Sequence, residues 1–166
     1  MRILGIDPGL DTTGYGVIEE TDSRLSLIEA GLIQTSSKLP IELRLLKIYD
    51  GLSSLVDKYK PKKLILEKLY SHYKHPVTSI LMGHGRGVIC LVSGKKNLEL
   101  VSYPAKRIKK AITGNGNASK EQVQRMVQRL LDVEDKAIPN DVTDALALAI
   151  AHSYIGTKRD DFAYIR

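Results

Sequence analysis

Short apolar runs separated by turn residues occupy the first part of the chain. Apolar residues fill positions 3–6 and recur through positions 14–19 and 25–34. The Asp-Pro-Gly sequence at positions 7–9 and the Asp-Ser pair at positions 22–23 are typical of tight turns. This pattern predicts three consecutive β-strands, of which the first is apolar throughout and therefore central and buried.

The rest of the chain combines helical periodicity with two further short apolar runs. Predicted helices cover residues 40–59, 77–93, 105–113, a segment that begins after Ser119, and residues 140–154, and predicted strands cover residues 64–66 and 98–101. Ser119 and Gln122 have the spacing of a capping box, which marks the start of the fourth helix. This order of elements predicts one α/β domain with a mixed sheet and helices on its faces.

Length and composition are those of one globular domain. We expect the 166 residues to form a single domain over residues 1–155 and a polar, frayed tail over residues 156–166. No apolar run approaches the roughly 18 residues of a membrane span, and the N-terminal residues lack the pattern of a signal peptide. The single cysteine, Cys90, lies among apolar residues, which predicts a core position and excludes an internal disulfide. We therefore expect a soluble, cytoplasmic protein with no membrane partner.

Positive charge exceeds negative charge along the chain. The 25 lysine and arginine residues against 19 aspartate and glutamate residues give a net charge of +6, and the sequence pI is about 9.3. A pI above about 9 is typical of nucleic-acid-binding domains. A basic surface without a nucleic-acid partner has the same composition, so the charge alone leaves both interpretations open.

Four acidic residues stand at positions where a functional site can form. Asp7 follows the first buried strand and Glu67 follows the fourth, and side chains at the carboxyl ends of strands gather at one edge of an α/β sheet. Asp141 and Asp144 lie one turn apart on the same face of the last helix, whose following residues are small or apolar. Each acid also has an ordinary structural interpretation, because Asp-Pro-Gly is a turn sequence and aspartate is common in the first turn of a helix.

Together these four acids define a site with oxygen ligands, because no cysteine or histidine accompanies them at metal-binding spacing. Mg²⁺ suits such a site, since it binds through carboxylates, keeps several waters and bridges substrate phosphates. Two such ions about 3.5–4 Å apart activate the attacking water and stabilise the leaving oxygen of a phosphodiester. Spacing along the chain leaves open whether the acids converge.

Three sequence motifs contain the four acids. Residues 5–16 read GIDPGLDTTGYG, residues 65–67 read ILE and residues 141–147 read DVTDALA. In this order and at these separations they resemble the motifs of the RuvC family of bacterial Holliday-junction resolvases, and the similarity extends to about residue 152. The resemblance implies a ribonuclease-H-like fold, an α/β domain in which helices cover both faces of a mixed five-stranded sheet.

The resemblance implies a structure-specific endonuclease of recombination and DNA repair. Members of the family are homodimers that resolve four-way DNA junctions by paired symmetric nicks, leave 5′-phosphate and 3′-hydroxyl ends, and prefer to cut next to a TT step. They depend on divalent cations, which implies Mg²⁺ here, two ions per active site, with Mn²⁺ able to substitute. They also work with a branch-migration complex of the RuvA and RuvB type.

The resemblance also assigns roles to individual residues. Asp7, Glu67, Asp141 and Asp144 correspond to the metal-binding catalytic acids of the family. Lys120 corresponds to a catalytic lysine that offsets charge on the scissile phosphate. Its position in the first turn of a helix supports this role, because a cation there opposes the helix dipole unless a phosphate is bound nearby.

Further residues are expected to contact DNA. Lys109 corresponds to a second active-site lysine, and Tyr70 to an aromatic residue that stacks on a base three residues after the glutamate. Arg86 lies in the central helix, within the run Gly-His-Gly-Arg-Gly at residues 83–87, and is expected to bind DNA as well. The family usually has Gln-Ala before this Arg-Gly pair, so the chain departs from the family motif at His84 and Gly85.

Other functions compete with this interpretation. A relative with the same fold and the same acids that trims RNA precursors is the alternative to a junction resolvase. A phosphotransferase of the actin and sugar-kinase superfamily also has Asp-x-Gly after a strand, but 166 residues leave no room for its second lobe. A catalytically inactive junction-binding protein would not need the complete set of acids. We therefore predict a Mg²⁺-dependent crossover junction endodeoxyribonuclease.

Overall fold

The strands and helices of the computed structural model follow the predicted order. The structure describes residues 1–68, 76–133 and 137–157. Its elements are β1 (Arg2–Asp7), β2 (Thr12–Thr21), β3 (Arg24–Gln34), α1 (Ile41–Tyr59), β4 (Lys63–Glu67), α2 (Pro76–Lys95), β5 (Glu99–Tyr103), α3 (Ala105–Thr113), α4 (Lys120–Leu130) and α5 (Asn140–Thr157). Helix α5 extends past its predicted end at Tyr154 and includes Gly156 and Thr157, which the sequence placed in the tail. The rest of that tail lies outside the described residues.

The strands form one mixed sheet in the order β3-β2-β1-β4-β5. Strand β1 pairs with β2 and β2 with β3 in antiparallel fashion, whereas β1 pairs with β4 and β4 with β5 in parallel. The turn between β2 and β3 contains Asp22 and Ser23, both with positive φ, as a two-residue hairpin turn requires. The predicted mixed five-stranded sheet is therefore confirmed.

Two separate hydrophobic cores cover the two faces of the sheet. Successive residues of a strand point to opposite faces, so Ile3 packs with α3, α4 and α5 while its neighbour Leu4 packs with α1 and α2. Strand β4 is divided in the same way, with Ile65 in the first core and Leu64 in the second. Helices therefore lie on both faces, as predicted, and the central strands are buried on both sides.

Helix α5 lies directly on the backbones of β1 and β2. A Cβ atom at Gly5 would overlap the carbonyl oxygen of Ala145, and one at Gly14 would overlap that of Asp141. The helix is also apolar nearly all round, and its residues 145–151 are buried. The glycines of the first motif therefore allow the close approach that brings the N-terminal turn of α5 to the end of β1.

Helix α2 buries one side and exposes the other. Ile89 and Val92 belong to the core, whereas Val77, Ile80 and Leu91 are 68%, 61% and 54% exposed. Cys90 is exposed as well, so its predicted core position is wrong. The apolar residues around it span the full circumference of the helix, and only the side that faces the sheet and α1 is covered. Among the described residues, Val77–Lys95 is long and apolar enough, by length and composition, to cross a membrane.

Candidate active site

Asp7 and Glu67 lie side by side at the edge of the sheet. Strands β1 and β4 are parallel neighbours in which Ile6 is paired with Leu66, so the residues that follow are adjacent. The predicted meeting of these two strand ends is thus seen in the structure. Helix α5, seated on β1 as described above, adds its two aspartates at the same edge.

A cavity of about 320 Å³ opens at this edge. Its charged lining consists of Asp7, Glu67, Asp144, Lys109 and Lys120. Apolar residues of α3, α4 and α5 form the rest of its wall. The cavity therefore collects side chains from five elements of the fold, and acidic and basic groups share it.

The charges of the other three predicted acids all act on Asp7. The pKa of Asp7 is raised from its ordinary 3.8 to about 6. Burial is the largest cause, followed by the negative charges of Asp144, Asp141 and Glu67. Lys120 acts in the opposite direction. Asp141 does not line the cavity, and it reaches the site through its charge on Asp7.

Glu67 and Asp144 complete the acidic side of the cavity. Burial raises the pKa of Glu67, the charge of Asp144 raises it further, and Lys109 and Lys120 lower it. The Lys120 Nζ lies 3.6 Å from Asp144 Oδ2, and its side chain is 73% exposed. Such an exposed pair contributes little to stability. The Lys120 ammonium group is therefore exposed at the cavity and only weakly paired.

The ligand set fits a hydrated divalent cation. All the acidic groups supply oxygen, which Mg²⁺ and Mn²⁺ accept. Within the described parts of the chain, no three acidic, histidine or cysteine side chains are arranged as a preformed metal cage. Mg²⁺ is commonly bound by one or two carboxylates with waters and substrate phosphates completing its shell, so a closed cage is not required. The negative charges that act together on Asp7 would attract such a cation.

Lys109 secures the segment that carries Lys120. Its Nζ donates to the carbonyl oxygen of Ala118 at 2.9 Å. The next residue, Ser119, is the N-cap of α4 and forms the predicted capping box with Gln122, with both hydrogen bonds present. Lys109 therefore lies at the cavity, as predicted, but its ammonium group also fixes the start of the neighbouring helix.

The loop after Asp7 is fixed by hydroxyl groups that the sequence analysis did not single out. Thr13 Oγ1 donates to the carbonyl oxygen of Gly9 at 2.7 Å, and Thr35 Oγ1 donates to that of Leu10 at 2.6 Å. Thr13 is buried and belongs to the first motif, which was the available signal. Thr35 directly follows β3, far along the chain from this loop, and no local pattern marks it.

Arg86 and Tyr70 differ from the other predicted residues. The Arg86 guanidinium donates to the carbonyl oxygen of Glu67 at 2.7 Å and to Ser102 Oγ at 3.1 Å. Arg86 therefore lies at the site, but its identified hydrogen bonds are within the protein.

Tyr70 lies outside the described residues. Ser102 was missed, because a single serine within a strand carries no distinguishing sequence signal.

The mixed sheet, the acids at its central strand ends and the helix laid across it define a nuclease domain of the ribonuclease-H-like class. A family model described as Crossover junction endodeoxyribonuclease RuvC matches residues 3–152. The chain belongs to the RuvC family. The assignment confirms the predicted fold and the predicted function as a junction-resolving endonuclease, and it does not favour the RNA-processing alternative.

Individual relatives agree with this assignment. A crossover junction endodeoxyribonuclease RuvC from Rhodopirellula baltica is 43% identical over 161 residues, covering 97% of this chain and 90% of the relative. One from Legionella pneumophila (strain Lens) is 40% identical over 153 residues, covering 92% of this chain and 87% of the relative. Each alignment therefore covers nearly all of this chain and most of the relative.

Solved structures show the same fold. RuvC from Thermus thermophilus, in complex with a Holliday junction substrate, superposes with a TM-score of 0.87 at 24% identity and covers 94% of both chains. The yeast mitochondrial Holliday junction resolvase Ydc2 superposes with a TM-score of 0.67 at 14% identity, covering 97% of this chain and 81% of the other. The architecture thus persists where sequence identity is low.

Proposed function

We propose that this protein resolves four-way DNA junctions by Mg²⁺-dependent hydrolysis, with Asp7, Glu67, Asp141 and Asp144 as the metal-binding acids. The convergence of Asp7, Glu67 and Asp144 on one cavity with Lys109 and Lys120 carries the proposal. The pKa of Asp7, raised first by burial and then by the charges of the other three acids, supports it. A divalent cation at this point would relieve that repulsion and favour the ionised form of each acid. The metal dependence of the family supports the same conclusion.

The chain's own residues would divide the work of hydrolysis. Two bound Mg²⁺ ions would supply an activated water and stabilise the charge that develops on the leaving 3′ oxygen, which yields 5′-phosphate and 3′-hydroxyl ends. Asp7 and Glu67, at the ends of adjacent strands, would hold the metals together with Asp141 and Asp144. Lys120, which extends from α4 with an exposed ammonium group, would neutralise charge on the scissile phosphate. Mn²⁺ would suit the same oxygen ligands.

DNA would be held by basic and aromatic residues around the cavity. Lys109 and Lys120 would attract the phosphate backbone, which positions the DNA without reading its sequence. Tyr70 follows Glu67 by three residues, and we propose that it stacks on an unpaired base at the crossover. The TT preference of the family would then arise from bases near the scissile bond rather than from these lysine contacts.

We further propose that the exposed face of α2 joins two copies of the chain. Ile80 and Leu91 are separated by about three helical turns and therefore share one side of the helix with Val77. The glycines on this helix leave open space around them, so that a second helix can approach closely. A homodimer would cover the apolar surface and supply the two active sites needed for paired nicks.

Family membership supports two further parts of the proposal. We propose that the enzyme acts in the cytoplasm, where bacterial DNA is processed. We also propose that it cooperates with a branch-migration complex of the RuvA and RuvB type, which would move the junction to a favoured cleavage site.

A substrate panel tests the proposed activity. The purified protein is mixed with a mobile four-way DNA junction, a linear duplex of the same sequence and a structured RNA, each with Mg²⁺, Mn²⁺ or EDTA. We expect paired nicks in the junction only, with either metal, and ligatable products. Cleavage of the RNA in preference to the junction, or cleavage of the junction in EDTA, would contradict the proposal.

A further inference from the structure

The position of Glu67 depends on how the end of β4 is fixed. Glu67 is the last residue of the strand and is paired with Tyr103 on β5. The following N–H group, of Lys68, donates to the carbonyl oxygen of Tyr103 at 2.9 Å. This bond fixes the strand end on one side. The direction of the Glu67 carboxylate then depends on the orientation of its own peptide group.

Arg86 fixes that peptide group from the other side. Its Nη1 donates to the carbonyl oxygen of Glu67 at 2.7 Å, which is a short, charge-assisted hydrogen bond. Its Nη2 donates to Ser102 Oγ at 3.1 Å, on the neighbouring strand β5. One planar guanidinium group therefore joins α2 to the ends of β4 and β5. A lysine at this position has a single donor centre and cannot reproduce both contacts with this geometry.

Arg86 also lies where α2 begins to pack against the core. Ile80 and its neighbours at the start of the helix are exposed, whereas Ile89 and Val92 are in the core. Arg86 is half-buried between these two regions. Its bonds to the sheet therefore fix the exposed part of α2 relative to the active site.

We propose that Arg86 is a positioning residue, which orients Glu67 for metal binding by joining the end of β4 to β5 and α2. The proposal rests on the proposed function, in that Glu67 is taken as a metal ligand. It replaces the expectation that Arg86 acts as a DNA contact. Residues that orient metal ligands through hydrogen bonds typically change metal affinity or activity by about 10–100-fold when removed.

Metal binding without DNA is the direct test. Mn²⁺ is titrated into the DNA-free protein and free Mn²⁺ is measured by electron paramagnetic resonance. We expect Arg86→Met to weaken Mn²⁺ binding about tenfold or more. Arg86→Lys keeps the charge but not the two-point geometry, and we expect it to weaken binding in the same direction. Ser102→Ala keeps the bond to Glu67, so we expect a smaller effect.

Controls separate positioning from other roles. Lys95→Met removes a cation from the far end of the same helix, and we expect Mn²⁺ binding equal to that of the unaltered protein. Junction binding in EDTA by Arg86→Met is expected to remain unchanged. Loss of junction binding with unaltered Mn²⁺ affinity would instead make Arg86 a DNA contact, and full Mn²⁺ affinity in Arg86→Lys would reduce its role to charge alone. Either result overturns the proposal.

Folding and function are checked separately. Circular dichroism and thermal unfolding show whether Arg86→Met folds, and if it does not, Arg86→Lys and Ser102→Ala carry the test. If the unaltered protein fails to cleave junctions while these variants weaken Mn²⁺ binding, the proposed function is wrong and the positioning role stands. If it cleaves junctions and the variants bind Mn²⁺ normally, the positioning role is wrong and the function stands.

Discussion

Asp7 combines burial with three acidic neighbours, so its ionisation costs free energy that an exposed aspartate does not incur. The same features make it the strongest candidate to bind a cation, because binding removes that cost. Replacement by asparagine keeps the size of the side chain and removes its charge. One substitution therefore affects both catalysis and stability, and in opposite directions.

The catalytic effect is a loss of activity without a loss of binding. We expect Asp7→Asn to slow junction cleavage about a thousandfold or more, since several kcal/mol of transition-state stabilisation depend on the metal. Junction affinity should change little, because phosphates are bound by lysines rather than by the acids. Single-turnover cleavage and gel-shift titration measure the two effects. Cleavage at the original rate would exclude Asp7 from the metal site.

The stability effect depends on pH. In the unfolded chain Asp7 ionises with its ordinary pKa of 3.8, whereas in the folded chain its pKa is about 6. Below pH 4 Asp7 is neutral in both states, and its ionisation does not destabilise the folded protein. As the pH rises through 6, the folded protein loses stability because Asp7 must ionise in an unfavourable environment. Without metal, we expect Asp7→Asn to be more stable than the unaltered protein at pH 7.5 by roughly 1–3 kcal/mol.

Thermal unfolding in EDTA checks this prediction. The gain in the Asp7→Asn variant should shrink between pH 6 and pH 4 and disappear below pH 4. Adding Mg²⁺ at pH 7.5 should stabilise the unaltered protein more than the variant, since the ionised carboxylate is then a ligand. A gain that stays the same at every pH would show that ionisation of Asp7 is not its source.

Lys120 is expected to act on the chemical step. Its ammonium group is exposed and loosely paired with Asp144, so its removal should leave the fold intact. We expect Lys120→Ala to lower the single-turnover cleavage rate by about 10²-fold, the scale of a lost transition-state contact, and to weaken junction binding far less. Lys38→Ala, which removes an exposed lysine from the loop before α1, serves as the control and should leave both quantities unchanged.

At the scale of elements, the seating of α5 on β1 is the feature most sensitive to substitution. A Cβ at Gly5 would overlap the carbonyl oxygen of Ala145. This is a backbone atom, which cannot move aside as the end of a flexible side chain can. We expect Gly5→Ala to destabilise the protein by about 1–3 kcal/mol, or more if α5 is displaced. Chemical denaturation measures the change.

Gly156→Ala provides the matched control for this prediction. Gly156 lies in α5 with open space around it, so an added methyl group contacts nothing. Alanine is favoured over glycine within a helix by about 0.5–1 kcal/mol, and we expect this variant to be as stable as the unaltered protein or slightly more stable. Equal destabilisation by both substitutions would mean that the close approach at Gly5 is not the cause.

The elements themselves were largely predictable, whereas some of their contacts were not. Apolar runs and helical spacing predicted the strands and helices of the described residues, and the strand-end positions of Asp7 and Glu67 indicated their meeting. The side on which α2 is covered was not predictable, because apolar residues surround it, and Cys90 was consequently misplaced in the core. The partner of Arg86 was also beyond sequence reasoning, since it is a backbone carbonyl that any residue at position 67 would supply.

At the scale of the whole molecule, the exposed apolar side of α2 is expected to determine the oligomeric state. We expect the double substitution Ile80→Glu and Leu91→Glu to convert a dimer into monomers, because it places charges in the centre of the proposed interface. Sedimentation velocity measures the mass. The monomer should lose paired nicking of junctions, since a single active site cannot cut opposed strands together.

A control on another exposed apolar position tests whether the effect is specific. Leu46 on α1 is 52% exposed, on a different helix from the proposed interface. We expect Leu46→Glu to leave the mass and the paired nicking unchanged. If the unaltered protein is a monomer, the proposed dimer is excluded. If the dimer survives the double substitution on α2, its interface lies elsewhere.

The direct backbone contact between α5 and β1 makes one side of the acidic site more rigid than the other. No side chain lies between Gly5 and α5, so the spacing of Asp7 and Asp144 is set by main-chain atoms that have no rotamers to change. Glu67, in contrast, ends a strand whose last peptide group also accepts a hydrogen bond from the Arg86 side chain, on a helix whose outer face is uncovered. Adjustment of the site to a bound junction would therefore occur on the Glu67 side, with Asp7 and Asp144 as the fixed reference.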